Sequence, residues 1–250
     1  MRAEEGFSFI WVYISMTPNI NANLKPETLE EKHENRVPLT LAHPLAQSQI
    51  DAASRFWAGW ESRELVQLKQ AFPERHDAIR VKAVVLNTLY GAHVIAIYKV
   101  AGLLEKLLEK THTTGPLLVE ELVDGIKKIT GLAHYVFVAK FGHFFVDSNL
   151  PILDSYAEEM AAWHLGQAQS RKPERYIRFC ENIETLSKLA SLTCDCAELD
   201  AYLWVAGEYR AWLKNSKRKI SSDLKPCFER LQKDPESEPD LRDLLGPIRA

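Results

Sequence analysis

The chain has four cysteines in 250 residues, Cys180, Cys194, Cys196 and Cys227, spaced C-x13-C-x-C-x30-C. It has no C-x2-C pair. Zinc ribbons and cysteine-held iron–sulfur clusters draw on such pairs, so the spacing speaks against a structural metal and for free thiols in a reducing compartment. Glycine and proline are sparse, at 11 and 12 residues, and few stretches alternate apolar and polar side chains, which leaves little to build strands from. Long apolar runs are missing too. "FSFIWVYI", Phe7 to Ile14, follows Glu4 and Glu5. It is too short to span a bilayer and lacks the basic flank of a signal peptide. Met16 offers an alternative start, and the expected location is the cytoplasm. The formal net charge is only −3, so a nucleic-acid role would need a local basic face. No cofactor or metal motif is found.

What is present is helical periodicity. Residues 1–43 read as a polar N-terminal arm, 44–220 as one helical domain, and 221–250 as a charged, Pro-rich tail with one short helix at most. From Pro44 a helix runs to Pro73, with Leu45, Ile50, Ala53, Phe56, Trp57 and Trp60 at helical spacing. "RHDAIRVKAVVLNTLYGAHVIAIYKVAGLLEKLLEK" holds two helices meeting near Gly91, the most apolar part of the chain, with His93 read as a core residue. Further helices follow at Pro116–Ile129, through "LAHYVFVAKFGHFF", from Ser155 to about Leu165, across "ERYIRFCENIETLSKLASL" and across "CAELDAYLWVAGEYRAWLKN". The expected fold class is all-α, with about eight to ten helices.

The chemistry concentrates in "ITGLAHYVFVAKFGHFFVDSNLPILDSYAEEM", Ile129 to Met160. One helix ends at Thr130-Gly131 and another begins within about two residues. Glycine there allows the positive φ of a sharp reversal. The second helix then offers its first N–H groups, which suit a phosphate, beside Lys127 and Lys128. An ordinary C-capped helix in a bundle explains the same residues. Asp154 lies 23 positions after Gly131. It reads either as a helix cap or, if Ser155 caps with Glu158 in capping-box spacing, as a carboxylate left free beside the helix N-terminus.

This combination resembles the helix–hairpin–helix DNA glycosylase superfamily, whose hairpin has the form L-P-G-[IV]-G-x-x-[TA]-A and is followed some twenty residues later by V-[PD]-x-D. Here "ITGLAHYVF" stands at the hairpin and "LPILD" at the aspartate segment, and the likeness covers roughly residues 76 to 215. The second hairpin glycine is Ala133. The slot of the Schiff-base lysine in bifunctional members falls at His134 to Tyr135, with Lys140 five residues beyond. The family's iron–sulfur cysteines are absent. The resemblance therefore implies a monofunctional, cluster-free enzyme with no cofactor, acting on duplex DNA with a damaged base, unless Lys140 reaches the site from the next turns of the helix. Asp154 would be the essential carboxylate, Lys140 the amine, and Gly131, Ala133, Lys127 and Lys128 the phosphate-binding hairpin.

Other residues carry two readings each. Lys140 and His143 stand one turn apart, a surface lysine with its stem over apolar neighbours or an activated amine. Tyr202, Trp204, Tyr209 and Trp212 recur at helical spacing, as core or as a lid over a flipped base. Lys217, Arg218 and Lys219 read as a solvated helix end or as phosphate contacts. Two functions follow: a DNA base-excision glycosylase, or a non-catalytic helical protein binding DNA or a protein partner.

Overall fold

Eleven α-helices and one 3-10 turn make up the described part of the chain, with no strand among the described residues. The computed structural model describes residues 40–58, 63–90, 94–167, 175–246 and 248. The expectations for the 1–39 arm, Trp60, Gly91 and His93 lie outside these. In order the helices are α1 (Gln47–Trp57), α2 (Arg63–Ala71), α3 (Ile79–Leu89), α4 (Ile97–Lys110), α5 (Gly115–Thr130), α6 (Tyr135–Phe145), α7 (Ser155–Leu165), α8 (Arg175–Leu189), α9 (Cys196–Leu213), α10 (Leu224–Lys233) and α11 (Pro239–Leu245). The all-α class read from composition and periodicity holds. The single helix expected from Pro44 to Pro73 is two, α1 and α2. None is long and apolar enough to cross a membrane.

α9 is the central element. Leu199, Ala201, Tyr202, Leu203, Val205, Ala206 and Ala211 are all buried, so the helix is apolar on nearly every side and must be covered all round. α7 and α1 pack against it, and α11 covers α1. Its start is fixed by a capping box: the Glu198 N–H donates to Asp195 while the Asp195 N–H donates to the Glu198 carboxylate, both at 2.9 Å. At Gly207 α9 runs so close to the first turn of α7 that an added Cβ would lie 2.5 Å from the Tyr156 carbonyl oxygen. A second group, α3 to α6, packs helix on helix, and α8 joins it to α7 through contacts with both α5 and α7.

The segment from residue 221 is not the polar tail the sequence implied. α10 buries Leu224, Cys227, Phe228 and Leu231, and α11 buries Leu241, Leu244 and Leu245. Each such side chain contributes about 1.5–3 kcal/mol on leaving water, which is enough to bind the segment to the core. At the other end Leu45 is buried, His43 stacks on Trp163 with ring centroids 3.8 Å apart, and the Ala42 N–H donates to the His164 carbonyl at 2.8 Å. The compact unit accordingly runs from residue 39 to 250, wider than the 44–220 expected.

Candidate functional site

α5 ends on Gly131, whose φ of +75 is left-handed, and four residues later α6 begins. The reversal expected from the glycine is therefore formed. Thr130 tightens it: its hydroxyl accepts the Leu132 N–H at 3.2 Å and bonds the Ile126 carbonyl at 3.0 Å. Lys127, Lys128, Gly131 and Ala133 are all exposed, as are Ile129 (55%) and Leu132 (61%). The helical ladder of α6 starts with the Val138 N–H on His134 O. No side chain caps the helix, so its first N–H groups have no partner within it.

At the start of α7 the alternatives resolve against a free Asp154. Asp154 itself is the N-cap, with Oδ1 accepting the N–H groups of Tyr156 at 2.7 Å and Ala157 at 2.8 Å. Ser155, offered as the cap in the other reading, is the first helical residue. Both bonds fall on one oxygen. Burial pushes the Asp154 carboxyl above its ordinary value; the Ala157 N–H, Lys140, the Tyr156 N–H and Arg218 all oppose that rise.

Lys140 and Asp154 thus come within electrostatic reach of each other. Burial lowers the Lys140 amine and the Asp154 charge works against that lowering. The ammonium lies 4.5 Å from the centre of the Tyr90 ring. Lys140 is thus not a freely solvated lysine, and among the described residues no carboxylate stands at ion-pair distance from it. It is held by an aromatic face beside a carboxylate. His143, one turn on, points elsewhere: its Nδ1 meets the Leu150 carbonyl at 2.8 Å, which secures the strand of chain leading to Asp154.

Arg218 separates from its neighbours. Lys217 and Lys219 are exposed, but Arg218 turns inward, donating to Glu159 at 2.5 Å and to the Ser155 hydroxyl, with its guanidinium 3.9 Å from the Tyr156 ring centre. The Tyr156 hydroxyl in turn donates to the Lys219 carbonyl at 2.8 Å. The three cations are therefore not one outward patch. Two face solvent, and the third belongs to the first turn of α7.

Several groups here were not singled out in the sequence. Asp200 on α9 accepts the Ile152 N–H at 2.6 Å, while its other oxygen is buried with no hydrogen-bond partner among the described residues. Burial pushes it well above the usual carboxylate range. Glu208, two turns further along α9, accepts the Ser221 N–H at 2.8 Å, and burial raises its carboxyl to about 7. Glu120 on α5 gathers the Tyr135 hydroxyl at 2.8 Å and the Tyr176 N–H at 2.7 Å, capping α8 from outside the helix. Arg175 continues the chain of contacts, ion-paired with Glu158 and facing the Tyr135 ring. Tyr135, at the slot where the resemblance would put a lysine, is thereby tied to the α7 turn that Asp154 caps. The readable signal was a carboxylate on an otherwise apolar face, at Asp200 and again at Glu208.

The aromatic residues of α9 pack inward. Tyr202 meets the His164 imidazole at 3.0 Å, Trp204 meets Trp57 edge-on, and Tyr209 and Trp212 close on Phe228. They form core rather than a lid. All four cysteines are unpaired thiols. Among the described residues no cluster of His, Cys, Asp and Glu could hold a metal ion. No protein-family model, curated protein or solved structure matches the chain.

Proposed function

We propose that the protein acts on duplex DNA as a helix–hairpin–helix glycosylase-like enzyme, hydrolysing the N-glycosidic bond of a damaged base rotated out of the stack. The observation that carries this reading is the electrostatic interaction of Asp154 with Lys140, on a chain that also exposes a lysine-flanked turn at Gly131. In this reading the Gly131 turn, with Lys127 and Lys128, engages the phosphate backbone. The nucleotide is extruded so that its sugar lies against the start of α7. As the bond from the sugar to the base breaks, positive charge grows on the sugar and the electron pair leaves with the base. Asp154, with one oxygen free of the capping bonds, stabilises that charge and orients the water that adds to the sugar carbon, and the proton the water loses ends on the departed base. Lys140 and Arg218 favour the ionised carboxylate and oppose the effect of its burial.

The Asp154 cap itself favours a second reading, a non-catalytic helical protein that binds DNA or a protein partner, because a carboxylate holding two N–H groups already has a structural role. Asp154→Asn separates the two. Asn accepts the same bonds and caps about as well, so the variant is expected to keep its thermal stability and its duplex binding while losing base release. The assay uses duplexes carrying oxidised, alkylated or deaminated bases. Binding without release by the unmutated protein on every such duplex supports the second reading. No duplex binding at low salt removes both DNA readings.

A further inference from the structure

A cavity of about 120 Å³ opens between α7 and the end of α9, beside the turn that Asp154 caps but not lined by Asp154 or Lys140. Arg210, Lys214 and Arg218 line it, with Glu159 the one acid and Ser216 at the rim. Glu159 is already bound to Arg218. Among the described residues no carboxylate stands at ion-pair distance from Arg210 or Lys214, so the lining has two cations in excess. Arg210 is the telling one. Its guanidinium lies 5.0 Å from the centre of the Trp163 ring, and its Nε is shut off from solvent with no hydrogen-bond partner among the described residues. A desolvated donor on a cation is costly to leave unmade, and an anion entering the cavity that Arg210 lines would offset part of that cost.

The frame around the cavity is rigid. α9 ends in a left-handed residue, Asn215, with φ of +48. The Ser216 N–H returns to the Ala211 carbonyl at 3.0 Å and the Asn215 N–H to the Trp212 carbonyl at 3.0 Å, so those two carbonyls near the helix end are occupied. The Ser216 oxygen accepts the Arg218 N–H at 3.2 Å, which leaves the hydroxyl hydrogen to donate. Cations near a helix C-terminus also answer its dipole, but that does not account for a cavity lined by three cations and one acid.

We propose that this cavity receives one phosphate group, held by Arg210, Lys214 and Arg218. The chemistry is that of a tetrahedral dianion or a phosphodiester, supplied either by a nucleic-acid backbone or by free phosphate. The inference stands apart from the glycosylase reading, because it uses neither Asp154 nor the hairpin.

Inorganic phosphate is the probe, titrated calorimetrically against the full chain at constant ionic strength, with chloride as the reference anion. Saturable binding of phosphate alone is expected. Lys214→Gln, an exposed position whose change leaves the fold intact, and Arg210→Gln should each weaken it about tenfold or more, the value of one charge-assisted contact. Lys110→Gln, at the exposed end of α4, should leave it unchanged. A short duplex identifies the source. If Lys214→Gln also weakens duplex binding and phosphate competes with duplex, the group is a backbone phosphate; if duplex binding is unaltered, it is free phosphate. No saturable phosphate binding, or equal binding by wild type and both cavity variants, would overturn the proposal.

Discussion

Glu208 has only 3% of its surface exposed, and Glu208→Gln is the most informative single change. Burial, helped by the neighbouring Asp154 charge, holds its carboxyl at about 7, against 4.5 for the unperturbed group; the Ser221 N–H and Arg218 pull the other way. Between those two pH values the folded protein keeps a proton that the unfolded chain has released. Stability therefore falls as pH rises from about 4.5 to about 7 and stays low above that. At about 1.4 kcal/mol per pH unit the loss comes to about 3 kcal/mol. His164 runs the opposite way. It is fully buried, with Nδ1 on the His43 carbonyl at 2.8 Å and Nε2 on the Tyr202 hydroxyl, and burial lowers it from 6.5 to about 4. Here the unfolded chain binds the proton first, so stability drops by a similar amount, about 3 kcal/mol, as pH falls through that range. Over the interval the two groups share, their slopes cancel. Glu208→Gln removes one of them, while the amide oxygen can still accept the Ser221 N–H. The variant should be the more stable by up to about 3 kcal/mol above pH 7, and this advantage should shrink as pH approaches 4.5. Its own acid limb should steepen, because His164 is no longer offset. Urea unfolding followed by tryptophan fluorescence at a series of pH values measures both curves. A difference between them that is the same at every pH would refute the reasoning.

Other outcomes follow from single contacts. An added Cβ at Gly131 meets nothing within 4 Å, so Gly131→Val should cost only backbone strain, about 1 kcal/mol or more; gel shifts should show duplex binding falling beyond that stability loss. Neutralising exposed Lys217 and Lys219 together should flatten the salt dependence of DNA binding by about two contacts with no change in melting temperature, and an unaltered slope takes them off the DNA face. Arg218→Gln should lower the melting temperature instead, because it breaks the Glu159 and Ser155 contacts. If Lys140 forms a Schiff base, borohydride should trap a covalent protein–DNA product that Lys140→Ala does not form, and equal trapping in both excludes this lysine.

The helices that the sequence delimited well are those with strong punctuation. α5 begins at Gly115-Pro116 and stops at Gly131, and α7 begins behind Asp154 and stops at Gly166. Punctuation misled at the C-terminal end. Pro226 lies in the first turn of α10 and Pro239 opens α11, positions where a missing N–H breaks no helical bond; their charged surroundings made these helices read as a tail. Leu224, Cys227, Phe228 and Leu231 keep helical spacing all the same, so the apolar face was legible. The cap could not be decided from sequence, since Asp154 and Ser155 are both good capping residues and only the chain path chooses between them. The same holds for Arg218. Three adjacent cations look alike in sequence, and the non-helical segment that carries them turns one inward and two outward. The meeting of Lys140 with Asp154 depends on how α6 packs, which no local pattern encodes.

Gly207 gives the start of α7 a controller that touches none of its chemistry. With the Tyr156 carbonyl already against the helix at that point, any side chain there would have to push the first turn of α7 outward. Asp154, Ser155 and the Arg218 contacts would move with that turn as one piece. Position 207 therefore works as a shim: its thickness sets how closely the first turn of α7 can lie against α9, and graded substitutions there would bear on the turn that Asp154 caps.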